Sequence, residues 1–174
     1  MVIALWVRPA FTGEFGDGVK LMRKLLFITL FSLISWDAAQ ASSAPEIIVS
    51  CGESAGHVYF HHNEYVSKKD SGWAEDKVKD GSFFVQKSGD NYDLVYRTKL
   101  GLTSSTDDGA VIMPTHRSEN SLSLVVIYPS NGNTEVYNFQ HINTKNAEAT
   151  WTQTKVGTLI VKSGVFHASC NDGK

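Results

Sequence analysis

From residue 57 onward, apolar and polar positions alternate in short runs. This two-residue rhythm sends successive side chains to opposite faces of a strand. Tyr92, Leu94 and Tyr96 share one such face, with Asp93, Arg97 and Lys99 mostly opposite. Strands are predicted at HVYFHH (57–62), SFFVQK (82–87), YDLVYRTK (92–99), AVIMPTHR (110–117) and SLSLVVIYP (121–129). Three more follow at TEVYNFQHI (134–142), EATWTQTKV (148–156) and TLIVKSGVFHASC (158–170). All are rich in the β-branched and aromatic residues that fit a pleated surface. The run LVVIY (124–128) is apolar on both faces, which suggests a central or covered strand.

Turn chemistry separates the runs. SGDN (88–91), SEN (118–120) and PSNGN (129–133) each join two strands, and the last holds an Asn-Gly hairpin signal. Gly157 divides the last pair. Residues 63–81 (NEYVSKKDSGWAEDKVKDG) break the rhythm, and one helical turn is expected around Ala74 to Val78. No amphipathic helix is legible elsewhere. The predicted class is all-β, an antiparallel meander of about eight strands.

The two cysteines, Cys51 and Cys170, stand at opposite ends of this β region. They are expected to pair, which would bring the first and last strands side by side. Strands linked by hairpins, with their ends tied, favour an up-and-down barrel over a two-sheet sandwich. Such an architecture is similar to that of lipocalins, but their first-strand G-x-W signature is missing, since Gly72 and Trp73 are adjacent.

The N-terminal part of the chain reads as targeting. Arg23 and Lys24 precede an apolar run, Leu25 to Ser35, and Ala39-Gln40-Ala41 supplies an A-x-A cleavage site. Residues 22–41 are therefore expected to form a secretory signal peptide. The apolar run is shorter than the ~20 residues that span a bilayer. Residues 1–21 resemble neither a signal nor a packed domain, and are expected to lie upstream of the true start and carry no function. Residues 42–174 then form a single β domain, secreted or periplasmic, with no membrane span after cleavage. Its scattered charges include no basic run. Nucleic acid would require a phosphate-binding patch, so that partner class is excluded.

Candidate chemistry is sparse. Gly52-Glu53-Ser54-Ala55-Gly56 fits G-x-S-x-G and resembles the G-E-S-A-G spelling of carboxylesterases, which would make Ser54 a nucleophile. That motif needs a strand, a sharp turn and a helix. The residues that follow, HVYFHHNEY, read as a strand. The stretch is expected to be a small-residue turn beside the disulfide, and no catalytic residue is assigned. His57, His61, His62 and Glu64 are the densest set of potential metal ligands. On a strand, His57 and His61 would stand roughly 13 Å apart, beyond the reach of one ion. Asp107-Asp108-Gly109 lacks calcium-loop spacing and reads as a turn. No metal or other cofactor is implied.

Aromatics are the remaining clue. Tyr92 and Tyr96 share one strand face, and Tyr137, Phe139 and His141 another, with Trp151 on the next strand. Such stripes are the substance of a hydrophobic core; they could also wall a ligand cavity inside a barrel. The expectation is a non-catalytic binding module for a small apolar ligand or an extracytoplasmic protein. A small hydrolase using Ser54 or a histidine-bound metal is the alternative.

Overall fold

The structure is a computed structural model and describes residues 44–172. The expectations for residues 1–21 and for the signal at 22–41 lie outside the described residues. Ten strands follow in order: β1 (Glu46–Phe60), β2 (Gly72–Val78), β3 (Ser82–Ser88), β4 (Asn91–Thr98), β5 (Gly101–Ser104), β6 (Val111–Arg117), β7 (Ser121–Tyr128), β8 (Asn133–Gln140), β9 (Glu148–Lys155) and β10 (Lys162–Asp172). There is no helix among the described residues. Every pairing is antiparallel, so the all-β class stands.

The strand order is β5-β4-β3-β1-β10-β9-β8-β7-β6, with β2 also paired to β1. From β1 the chain meanders outward to β5, crosses to β6 through residues 105–110, and meanders back to β10 beside β1. The sheet curls into a half-barrel whose free edges are β5 and β6. It is not hydrogen-bonded shut between them. Side chains cross the seam instead: Arg117 Nη1 donates to the Tyr92 hydroxyl at 2.8 Å, and Tyr128 donates to Ser105 Oγ at 3.1 Å. Ser105 is fully buried, and both its N–H and its hydroxyl donate to the Leu94 carbonyl, at 2.9 and 2.7 Å. The short β5–β6 link is thereby fastened to β4. The β6 edge carries Pro114, which cannot donate to a further strand.

Cys51 and Cys170 are bonded and stand directly opposite each other in the β1–β10 ladder. The disulfide ties the first strand to the last, as the cysteine positions imply. It closes a sequence separation of 119 residues. In the chain-entropy picture, a loop of that length is worth about 4–5 kcal/mol.

Two local expectations are overturned. Residues 51–56 are not a turn; they run through the middle of the 15-residue β1. Cys51 pairs with Cys170 and Ser54 with Ala168, so β1 uses one residue more than its partner. That extra residue is a β-bulge, and small residues permit it. The second correction concerns residues 74–78, which form β2 rather than a helical turn. Trp73, Glu75 and Lys77 stand opposite Tyr59, His57 and Ala55. A single helical turn has no comparable ladder to join, and its nucleation is unfavourable. β2 and β3 lie along the same edge of β1 as one return strand, broken at residues 79–81. There Asp80 adopts a left-handed backbone, φ 57°.

The four-residue β5 was not predicted. Residues 158–161 belong to a loop, and His61 and His62 lie past the end of β1.

The inner face buries Val49, Val58, Val85, Leu94, Leu122, Leu124, Val126 and Phe139 at 0–2% exposure. On the outer face of β7, Val125 and Ile127 are only half-buried, so the doubly apolar LVVIY run marks a strand lined on one side and lightly covered on the other. Gly56 lets β1 and β10 approach closely. A Cβ there would overlap the Val165 carbonyl oxygen and lie 2.8 Å from Phe166 Cα.

Candidate functional site

The inner surface changes character from one end of the half-barrel to the other, and the cross-strand register shows how. Tyr137 on β8, Trp151 on β9 and Phe166 on β10 are successive partners in one row. One step toward the end where β1 finishes, the row reads Glu135, Gln153 and Gly164. At the rim, Lys155 stands opposite Lys162, and Asn133 opposite Tyr128. Aromatic residues thus form a floor, buried amides and a carboxylate stand above it, and lysines ring the mouth.

The floor is tightly stacked. Phe139–Tyr137, Tyr137–Trp151 and Trp151–Phe166 have ring centroids 6.0, 5.4 and 5.2 Å apart and interplanar angles of 9°, 18° and 17°. Phe83 packs edge-on against Trp151 at 5.1 Å. Trp151 is stacked between Tyr137 and Phe166, and Tyr137 is only 1% exposed. The stripe is therefore core, and its rings offer a ligand edges rather than open faces.

Above this floor lies an open cleft of about 590 Å³. That falls within the range typical of small-molecule sites. Tyr96, Tyr128, Asn133, Glu135, Gln153 and Lys155 contribute its polar wall, and Asp76 and Val78 of β2 close one side. Glu135 is 7% exposed and faces two phenols. Tyr137 donates to its Oε2 at 2.8 Å and Tyr96 at 2.9 Å, while the two hydroxyl oxygens lie 2.7 Å apart. These contacts bridge β4 and β8 across the interior.

Burial pushes the Tyr96 phenol well above its ordinary 10.0, and the Glu135 charge adds to the effect. Burial does the same for Tyr137, assisted by Tyr96 and Glu135. Tyr128 is raised as well, chiefly by burial. All three phenols are therefore neutral hydrogen-bond donors throughout the physiological range.

Several polar groups in the cleft are unused. Asn133 is 8% exposed, and its Oδ1 is a buried side-chain atom with no hydrogen-bond partner among the described residues. Glu135 Oε1 and the Gln153 amide also take no partner among the described residues. Neither is sealed from solvent in the way Asn133 Oδ1 is, so both open onto the cleft. At the rim, Lys162 Nζ pairs with Asp76 Oδ2 at 2.8 Å and lies 5.8 Å from the Phe60 ring centroid.

Of the residues proposed from sequence, the fold brings Tyr96 and Tyr137 together in this cleft. Phe139 lies deeper, in the closed core. Tyr92 stands at the opposite end, beside Arg117, in a smaller hollow of about 250 Å³. His141 is exposed just beyond β8, with φ 56°. Asn133, Glu135, Gln153 and Lys155 were not singled out. Their signal was present in the alternation of NTEVYNFQ, where Asn133 and Glu135 share the face of Tyr137 and Phe139.

Ser54 is buried within β1, opposite Ala168 and Val78, and the strand continues past it to Phe60 without the helix that an elbow requires. His57 is exposed on the outer face, between Glu75 and Val165. His62 Nδ1 lies 2.7 Å from the Val66 carbonyl oxygen, and His167 lies 3.3 Å from Glu148 on the outside of the sheet. No group of three metal-ligating side chains converges among the described residues.

Fold and site together define a disulfide-tied, all-β half-barrel with an aromatic floor and a polar cleft at one end. No protein-family model, curated protein or solved structure matches the chain.

Proposed function

We propose that this protein is an exported, non-catalytic binding module that holds a small polar molecule in the mouth of its half-barrel. The observation that carries this reading is the pair of largely buried side chains, Glu135 and Gln153, whose polar groups open onto the cleft with no partner among the described residues. A buried polar atom with no hydrogen bond costs about 1–3 kcal/mol. Native folds seldom keep one without a use for it. Here Glu135 and Gln153 stand opposite each other in a cavity large enough for a metabolite. The polar wall favours a hydrogen-bonding ligand over the apolar one that the aromatic stripes suggested, because the rings spend their faces on one another.

Export is consistent with the formed disulfide. Among the described residues no helix is long and apolar enough to cross a membrane.

Heteronuclear NMR of the protein with a small-molecule extract of its own compartment tests the reading. Perturbed backbone resonances should cluster at residues 133–137, 151–155 and 162–166. Shifts confined to other surfaces, or none at all, would sink it.

A further inference from the structure

The cleft's charges identify the chemistry of the occupant. Lys162 and Asp76 neutralise each other at the rim. Asp108 is exposed on the loop after β5. Two carboxylates, Asp108 at the exposed rim and Glu135 buried within, and one ammonium, Lys155, line the same cavity and form no salt bridge among the described residues; only Glu135 and Lys155 come from the paired strands that form its wall.

Both point inward. Gln153 stands opposite Glu135 in the β8–β9 ladder, and Lys155 is two residues further along the same face. Strand rise and spacing put the two Cα atoms about 8 Å apart. The carboxylate is tethered by two phenols on Oε2, which leaves Oε1 open to the cleft. Lys155 faces Lys162 directly across the β9–β10 ladder. Like charges placed opposite each other repel. Asp76 pairs with Lys162 alone, and Lys155 forms no ion pair among the described residues.

From this arrangement, and resting on the binding reading above, we propose that the ligand is a small zwitterion of free amino-acid size. Its ammonium donates to Glu135 Oε1, and its carboxylate meets Lys155. An ammonium carries three donors and accepts none, which matches the open carboxylate oxygen on β8. A charge-assisted contact to each end is worth more than a neutral one. The Gln153 amide, between the two charges on the β9 side, has both a donor and an acceptor for the ligand's middle. A simple anion would leave Glu135 unanswered, and a simple amine would leave Lys155 unanswered.

The test uses saturation-transfer NMR on the purified full-length protein. Its probes are the free L-amino acids, their C-terminal amides and their N-acetyl derivatives. At least one amino acid should bind, tenfold or more tightly than either blocked form. Glu135→Gln keeps an acceptor for the two phenols, and should weaken the free amino acid tenfold or more while leaving its N-acetyl form unchanged. Lys155→Met should show the mirror pattern with the amide. Thermal melting of both variants verifies that they remain folded.

Equal binding of free and blocked forms would overturn the zwitterion. So would a failure of every amino acid to bind. A library of neutral polar fragments in the same experiment separates the two levels. Neutral fragments binding at the cleft while amino acids do not would refute the zwitterion and leave the binding module standing. Silence from both sets would refute both.

Discussion

Glu135 is buried to 7% exposure, where an unpaired charge is costly, and two phenols donate to one of its oxygens. Those phenols lie in turn where ionisation is unfavourable. In the unfolded chain a tyrosine ionises near 10.0; in the fold Tyr96, Tyr128 and Tyr137 do so only at higher pH. A group with a raised folded pKa stabilises the protein fully below the unfolded value, and that contribution is lost as pH climbs past 10. Stability should therefore fall above pH 10. In a spectrophotometric titration, phenolate absorbance from Tyr96 and Tyr137, two of the six tyrosines, should appear only with unfolding, and that of Tyr128 should lag the exposed ones. Smooth ionisation of all six in folded protein would contradict the burial argument. Tyr96 and Tyr137 were legible in the sequence as aromatic positions on strand faces. Their carboxylate partner was not, because the sequence separation of 39 between Tyr96 and Glu135 conceals a contact made only across the curled sheet.

The elements show why some strands are visible in sequence and others are not. Runs such as SLSLVVIY announce themselves because one face is buried at every second residue. β2 does not, since both of its faces are largely exposed and Trp73 keeps 69% of its surface. Its charged residues suit an edge strand, which they guard against pairing with other chains. The G-x-S-x-G stretch misled in the same way: small residues read as a turn when a β-bulge needed them. Gly56 makes this testable. Any side chain there must push β1 away from the Val165 carbonyl and Phe166. Gly56→Ala should cost about 1–3 kcal/mol in urea denaturation, the usual range for overpacking. An unchanged midpoint would show that the two strands are not in such close approach.

For the whole molecule, the ends mattered most. Two cysteines in a chain of short strands were enough to place the first strand against the last, because a disulfide demands adjacent Cα atoms. Reduction should lower stability by about 4–5 kcal/mol, measured as the difference in unfolding free energy with and without reductant. A loss under 1 kcal/mol would mean that the unfolded chain is already constrained by other means. The open seam between β5 and β6 was not legible, since nothing in local patterning reports whether a curled sheet completes its ladder. The polar mouth depends on long-range register in the same way. Asn133, Glu135, Gln153 and Lys155 become neighbours only once β8 and β9 pair.

The central claim is that this mouth holds a small polar molecule. Native mass spectrometry of protein purified from its own compartment tests it most directly. The account predicts a retained small molecule at one-to-one stoichiometry, lost or much reduced in Gln153→Ala, a variant whose melting verifies that it remains folded. A bare polypeptide mass for the wild type, or equal retention by the variant, would contradict it.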